Sequence, residues 1–301
     1  MAGADSAFRA TRILAGAVEA FAGQVYFAPE AHAGYEKLGF SGSPGRAGGV
    51  AMPEMNAYFC SRGAILGQVP GEVVASAFAV FNPAIVVPAV EHGWSLTSAA
   101  EIIVARDEAA AGQLRRILGA NPHGADELAR LLGPVSGSLP VAGRPLYAGL
   151  MNADVPEDPL SAAWRFADRL REFRGDAHTA AWTSAGYSAI EIGLTTELYW
   201  GLRPKTYVRT RGWSDAELDA AIADLESRGL IDDSGLTDRG RQEREAIETR
   251  TDAQCAPVLR ALGDDFENAV DVLQRFSAAV RAAHGYPAAG PHDLAALHAK
   301  H

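Results

Sequence analysis

Apolar residues at spacings near three and four recur through most of this chain, so the pattern predicts helices punctuated by glycine and proline rather than a sheet. Phe8, Ile13, Leu14, Val18 and Phe21 mark an amphipathic helix over 7–22, closed by Gly23. A second helix is expected over 31–38 behind Pro29, followed by a glycine-rich loop over 39–49. Tyr58-Phe59 and Ile65-Leu66 are brief apolar runs bounded by Gly63 and Gly67, which predicts a short strand pair, or a strand and turn, over 56–69. Helices follow over 72–81, 83–92, 97–118 and 125–132.

Beyond a Gly/Pro/Ser-rich stretch at 133–143 the helical pattern resumes. Trp164, Ala167, Leu170 and Phe173 share one face of a helix over 160–173. Arg174-Gly175-Asp176 is expected to break it, with Asp176 capping a new helix over 177–187. Another helix covers 189–200. Ser214 and Glu217 then form a capping box for a helix whose apolar face is Leu218, Ile222 and Leu225, ending at Gly229.

Three blocks of the first half recur in order in the second. Phe21, Gly23, Ala33, Gly34 and Tyr35 match Phe173, Gly175, Ala185, Gly186 and Tyr187; Gly93-Trp94-Ser95 matches Gly212-Trp213-Ser214; Arg106, Ala109, Arg116, Leu118 and Gly119 match Arg250, Ala253, Arg260, Leu262 and Gly263. The repeat predicts an internal duplication: a first half over 1–135, a linker over 136–154 and a second half over 155–301. A length of 301 residues suffices for two cores of about 150 residues each.

A formal net charge of -10 argues against a protein that coats phosphate backbones, because that binding relies on cations displacing counterions. Cys60 and Cys255 are far apart in sequence and lack metal-ligand spacing, so neither a disulfide framework nor a zinc site is expected. No apolar run is long enough to span a membrane and no leader is evident, which fits a cytoplasmic protein.

Leu225-Glu226-Ser227-Arg228-Gly229-Leu230-Ile231 followed by Leu236-Thr237-Asp238-Arg239-Gly240-Arg241 resembles the recognition helix and wing of MarR-type winged-helix regulators. The resemblance covers about 40 residues and implies a mainly α fold with small β-wings; taken with the repeat, the expectation is two related winged-helix-like halves. Its helix carries Asp215, Glu217, Asp219, Asp224 and Glu226 against Arg228 alone, a poor match to a phosphate-walled groove. The whole chain also resembles a group of mostly actinobacterial proteins of unassigned activity. The shared elements are Tyr26-Phe27-Ala28-Pro29-Glu30, Arg174-Gly175-Asp176-Ala177-His178 and the winged-helix-like part over 211–241.

Arg174, Asp176 and His178 form the densest polar cluster, expected at a helix N-terminus where backbone N–H groups favour an anion. Arg174 would bind a ligand carboxylate or phenolate, and His178 would donate a hydrogen bond or shuttle a proton. Asp176 as a plain cap and His178 as a satisfied core histidine are the structural alternatives. Tyr26, Glu30 and His32 occupy the matching place in the first half and would face the same cleft, as would Tyr187. Arg209 and Arg211, beside Trp213, Tyr199, Trp200 and Tyr207, suit a planar or anionic organic molecule.

The expectation is a small-molecule binding protein, sensor or sequestering, with an apolar or planar organic ligand between the halves. One alternative is an enzyme without a nucleotide cofactor, an acid–base lyase, isomerase or hydrolase, in which Asp176 orients His178 for proton transfer. Another is a MarR-like transcription regulator. No metal and no cofactor are expected, with haem ligation by His32 or His178 left open; nucleic acid and membrane are disfavoured as partners, and a homodimer is compatible.

Overall fold

The computed structural model describes residues 2–287. The last residues of the expected second half, 288–301, and the Phe8 side chain lie outside the described residues. In chain order the elements are α1 (Ala2–Gly23), α2 (Pro29–Lys37), a hairpin of β1 (Arg46–Ala47) and β2 (Val50–Ala51), α3 (Met55–Gly63), α4 (Gly71–Phe78), α5 (Pro83–Leu96), α6 (Ala99–Leu118), α7 (Ala125–Gly137) and α8 (Pro145–Met151). They continue with α9 (Pro159–Ser184), α10 (Ala189–Tyr199), α11 (Asp215–Ser227), the wing strands β3 (Ile231–Asp232) and β4 (Gly235–Leu236), α12 (Asp238–Leu262) and α13 (Phe266–Ala282). The fold is mainly α with two small antiparallel hairpins, pairing Arg46 with Ala51 and Ile231 with Leu236.

Helix starts follow local chemistry. Capping boxes at Ser98/Glu101, Ser188/Glu191 and Ser214/Glu217 open α6, α10 and α11, each answering backbone N–H groups that the first turn leaves free. Asp158 caps α9 with Pro159 at its first position, and Thr237 caps α12.

Two expectations fail for tertiary reasons. Residues 55–63 form α3 instead of a strand pair: Glu54 accepts hydrogen bonds from Asn56 N and Ala57 N, and Ala57, Phe59, Cys60 and Ser61 are buried around most of its circumference. A helix buried around most of its surface loses the clear amphipathic stripe that distinguishes it from a buried strand. The expected break at 174–176 is also absent, since α9 runs unbroken through Gly175. A glycine inside a helix costs only about 1 kcal/mol relative to alanine. Burial of Trp164, Phe173, Ala177, Ala181 and Trp182 on either side outweighs that cost. Within the segment expected as a linker, Leu146, Tyr147 and Leu150 of α8 are buried.

The largest core draws on α1, α6, α7, α9, α12 and α13, running from Leu14 to Tyr286, and so takes residues from both sides of the predicted linker. A second core gathers Trp182, Ile192, Leu218, Leu225, Leu230, Leu236 and Ile247 under the winged-helix unit of α10–α12. A third, built on Phe59, Val74, Phe78, Phe81, Val90 and Leu146, joins α3–α5 to α8. Helix α9 enters the first core at Leu160 and the second at Ala181.

Candidate functional site

Two clefts flank the middle of α9. One, of about 200 Å³, lies against α1 and α12 and is lined by Leu14, Val18, Leu170, Phe173, Cys255 and Val258. The other, of about 250 Å³, lies toward α4 and α10 and is lined by Phe78, Leu146, Trp182, Ile192, Trp200, Tyr207 and Arg211. Arg62, Arg174, Gly175 and His178 border both. The missing side chain at Gly175 leaves part of this space open, because a Cβ there would have only Glu172 Oε2, at 3.5 Å, within 4 Å.

His178 Nδ1 lies 3.1 Å from Thr251 Oγ1, and that hydroxyl donates its proton to the Ile247 carbonyl at 2.9 Å. A hydroxyl has one proton to give, so Nδ1 is the donor to Thr251 and Nε2 carries the lone pair. Burial pushes the imidazole pKa down to about 4; Arg244 and Arg174 add to the effect and Glu248 opposes it. His178 is therefore a neutral ring with an acceptor nitrogen, and Nε2 has no partner among the described residues.

Arg174 places Nη2 3.1 Å from Glu248 and 3.5 Å from Asp252. Arg244 also reaches Glu248 at 2.7 Å, and Arg12 reaches Asp252 and Glu245 at 2.6 Å each. Burial disfavours the Glu248 carboxylate, but Arg244 and Arg174 outweigh it and hold the carboxyl well below the usual range. Across the cleft Arg62 makes a two-pronged bond to Glu172 at 2.7 and 2.8 Å. Burial again opposes charge at Glu172, yet Arg62 and Arg171 bring its pKa down to about 2.

These positions revise the expected site. The 174–178 segment is mid-helix, so it offers no free backbone N–H groups to an anion. Asp176 does not orient His178, because residues two apart on a helix face different ways. Its carboxylate accepts from Tyr147 N at 3.0 Å, capping α8 from outside that helix. Burial raises the Asp176 carboxyl pKa to about 7 despite that bond. The anticipated Arg174 charge is met by Glu248 and Asp252.

Tyr26, Glu30, His32, Tyr187 and Arg209 line neither cleft. Tyr26 Oη accepts from Arg106 at 3.1 Å, and Arg106 pairs with the fully buried Asp168 at 2.9 Å. His32 Nε2 donates to the Tyr26 carbonyl at 3.2 Å, and burial lowers its pKa. These two residues border a space of about 10 Å³, room for one water at most. Glu30 is tied to Arg116 at 2.6 Å, Tyr187 donates to Glu243 at 3.2 Å, and Arg209 pairs on the surface with Asp215 at 2.6 Å. Of the expected set, Arg174, His178 and Arg211 come together.

Arg62, Glu172, Arg244, Glu248, Thr251 and Trp182 complete the site and were not anticipated from the sequence. A signal existed: Arg244, Glu248, Thr251, Asp252 and Cys255 recur at spacings of three and four along one face of α12. In a helix rich in charge such a stripe is masked by the solvated residues around it.

The winged-helix surface differs in character. Asp215, Glu217, Asp219, Asp224 and Glu226 of α11 are all exposed. Of the nearby cations, Arg209 pairs with Asp215, Lys205 with Asp219, and Arg228 with Glu191 and Asp224, while Arg203, Arg211 and Arg241 have no carboxylate in salt-bridge reach among the described residues. Among the described residues no group of three His, Cys, Asp or Glu side chains is placed to hold a metal, and no helix is long and apolar enough to cross a membrane. A family model described as a helix-turn-helix family matches residues 11–287. No curated protein and no solved structure matches the chain.

Proposed function

The chain belongs to a helix-turn-helix family, and on that premise we propose that it is a small-molecule binding protein, of sensor or sequestering type, built on a winged-helix scaffold. The ligand is an organic molecule with a largely apolar body, held in the clefts along α9 with His178 Nε2 as an acceptor for one of its polar hydrogens. The observation that carries this reading is the shared wall of Arg62, Arg174, Gly175 and His178 between two clefts, the first mostly apolar and the second mixing apolar with polar side chains. Preformed apolar clefts with a few convergent polar groups are the usual form of small-molecule sites. A MarR-type origin of the winged helix, kinship with the actinobacterial group and an ancestral duplication belong to the same proposal, supported by the recurring motifs.

Gly175→Leu tests it. The leucine fills the space left open at Gly175 and favours the helix, so the folded state persists while the clefts close. Thermal-shift screening of aromatic and medium-chain organic compounds should find stabilisers of the native chain that lose their effect on the variant. Shifts of equal size in both proteins would defeat the proposal.

Family membership favours a second reading, a regulator that grips DNA. The exposed carboxylates of α11 weigh against it, because a groove-entering helix must bring donors and positive charge to phosphate. Retardation of random duplex DNA at low salt would reverse that ranking. The proton-transfer enzyme required Asp176 to orient His178, and the two have separate partners.

A further inference from the structure

The buried charges around the two clefts do not balance evenly. Arg62, Arg174 and Arg244 line the second cleft, and each has a carboxylate at or within 3.1 Å. Arg211 lines the same cleft without one. Its Nη2 donates to Tyr207 Oη, its guanidinium carbon sits 4.5 Å from the centre of the Phe81 ring and 4.2 Å from that of Tyr207, and its Nε is buried with no hydrogen-bond partner. No carboxylate lies in salt-bridge reach of it among the described residues. A second donor on this cleft, Trp182 Nε1, is likewise buried and unpartnered.

Leaving buried donors unpaired and a half-buried cation without a counter-ion is costly, and both costs are relieved by one kind of guest. A guanidinium beside two rings keeps N–H groups free for the two-pronged bond that a carboxylate makes. Phe78, Leu146, Ile192 and Trp200 give the rest of the wall an apolar stretch, beside Thr179, Thr196 and the paired charges of Arg62, Arg174, Arg244 and Glu248. We propose that the second cleft binds an apolar carboxylic acid as its anion, with the carboxylate on Arg211 and the hydrocarbon or aromatic body against α9 and α10. The assignment rests on the reading of the clefts as ligand sites, and it moves the anion-binding role from Arg174 to Arg211.

Isothermal titration of the full chain with matched acids and amides decides the matter: 2-naphthoate and 2-naphthamide, 4-phenylbutyrate and 4-phenylbutyramide, octanoate and octanamide. The wild type is expected to bind at least one acid tenfold or more tightly than its amide. Arg211→Gln should abolish that preference while keeping amide affinity, Arg211→Lys should keep part of it, and Arg209→Gln should behave as wild type. If amides bind the wild type as tightly as acids, or if Arg211→Gln keeps the preference, the carboxylate assignment falls and the cleft reading stands. If no acid and no amide binds at millimolar concentration, the cleft reading falls with it. Should Arg211→Gln not fold, the wild-type pairs and Arg211→Lys still decide.

Discussion

The neighbourhoods of Tyr26 and His178 invite comparison because each gathers arginines, carboxylates and a histidine around the inner part of the fold. Around Tyr26, Arg106 spans Tyr26 and Asp168 and His32 returns to the Tyr26 carbonyl; His32 Nδ1 and Asp168 Oδ1 find no partner there, but only about 10 Å³ is left over. Around His178 the ionic groups are also paired, yet clefts of about 200 and 250 Å³ lie beside them and one ring nitrogen faces no partner. The residue types are alike, and the empty volume beside them differs. A polar cluster with nothing beside it serves the fold, whereas one bordering apolar space can serve a guest.

The largest test of this contrast is Arg106→Met against Arg174→Met. Removing Arg106 leaves Asp168 fully buried with its nearest remaining cation, Arg165, at 4.0 Å, and urea unfolding should show a loss of about 3–5 kcal/mol. Loss of Arg174 should cost much less, because Glu248 keeps Arg244 and Asp252 keeps Arg12. Equal losses would erase the distinction.

A pH series sharpens it. His178 has its folded pKa lowered to about 4 from 6.5, so its contribution to stability is present above pH 6.5 and is lost as pH falls toward 4. Asp176 has its folded pKa raised to about 7 from 3.8, so ionisation works against folding as pH rises from about 4 to 7 and the full cost remains above that. The two slopes oppose each other between pH 4 and 6.5. Asp176→Asn should raise stability at pH 8 by about 2–4 kcal/mol and unmask the acid-side loss due to His178. His178→Gln should do the reverse, giving a chain that gains stability on acidification from pH 7. Unchanged pH profiles in both variants would contradict these assignments.

The smallest effect belongs to Tyr26→Phe. It removes one hydrogen bond to Arg106, which keeps Asp168, and should cost about 1 kcal/mol by urea unfolding without altering the affinity of any cleft ligand. A ligand effect of this variant would bring the Tyr26 cluster into the binding site.

Elements fixed by neighbours in sequence were legible from it. The Ser214/Glu217 capping box, the wing at 231–236 and the long alanine-rich α6 could be read because cap, turn and stripe lie within a few residues of what they control. Helix α3 and the continuity of α9 could not, since their state is set by distant packing: α3 is buried around most of its surface, and Gly175 is carried by the buried residues around it. At the site, Arg174, His178 and Arg211 stood out as polar residues among apolar ones. Whether a charge is already met is invisible in sequence: Glu248 lies 74 positions from the Arg174 it neutralises.

Helix α9, 26 residues or about 39 Å at 1.5 Å per residue, ties two hydrophobic cores to one rod. Ala177 belongs to the first core and Ala181, one turn on, to the second. The second core holds the last turn of the same helix through Ala181 and Trp182, so a disturbance of either core reaches the other along one continuous run of backbone hydrogen bonds.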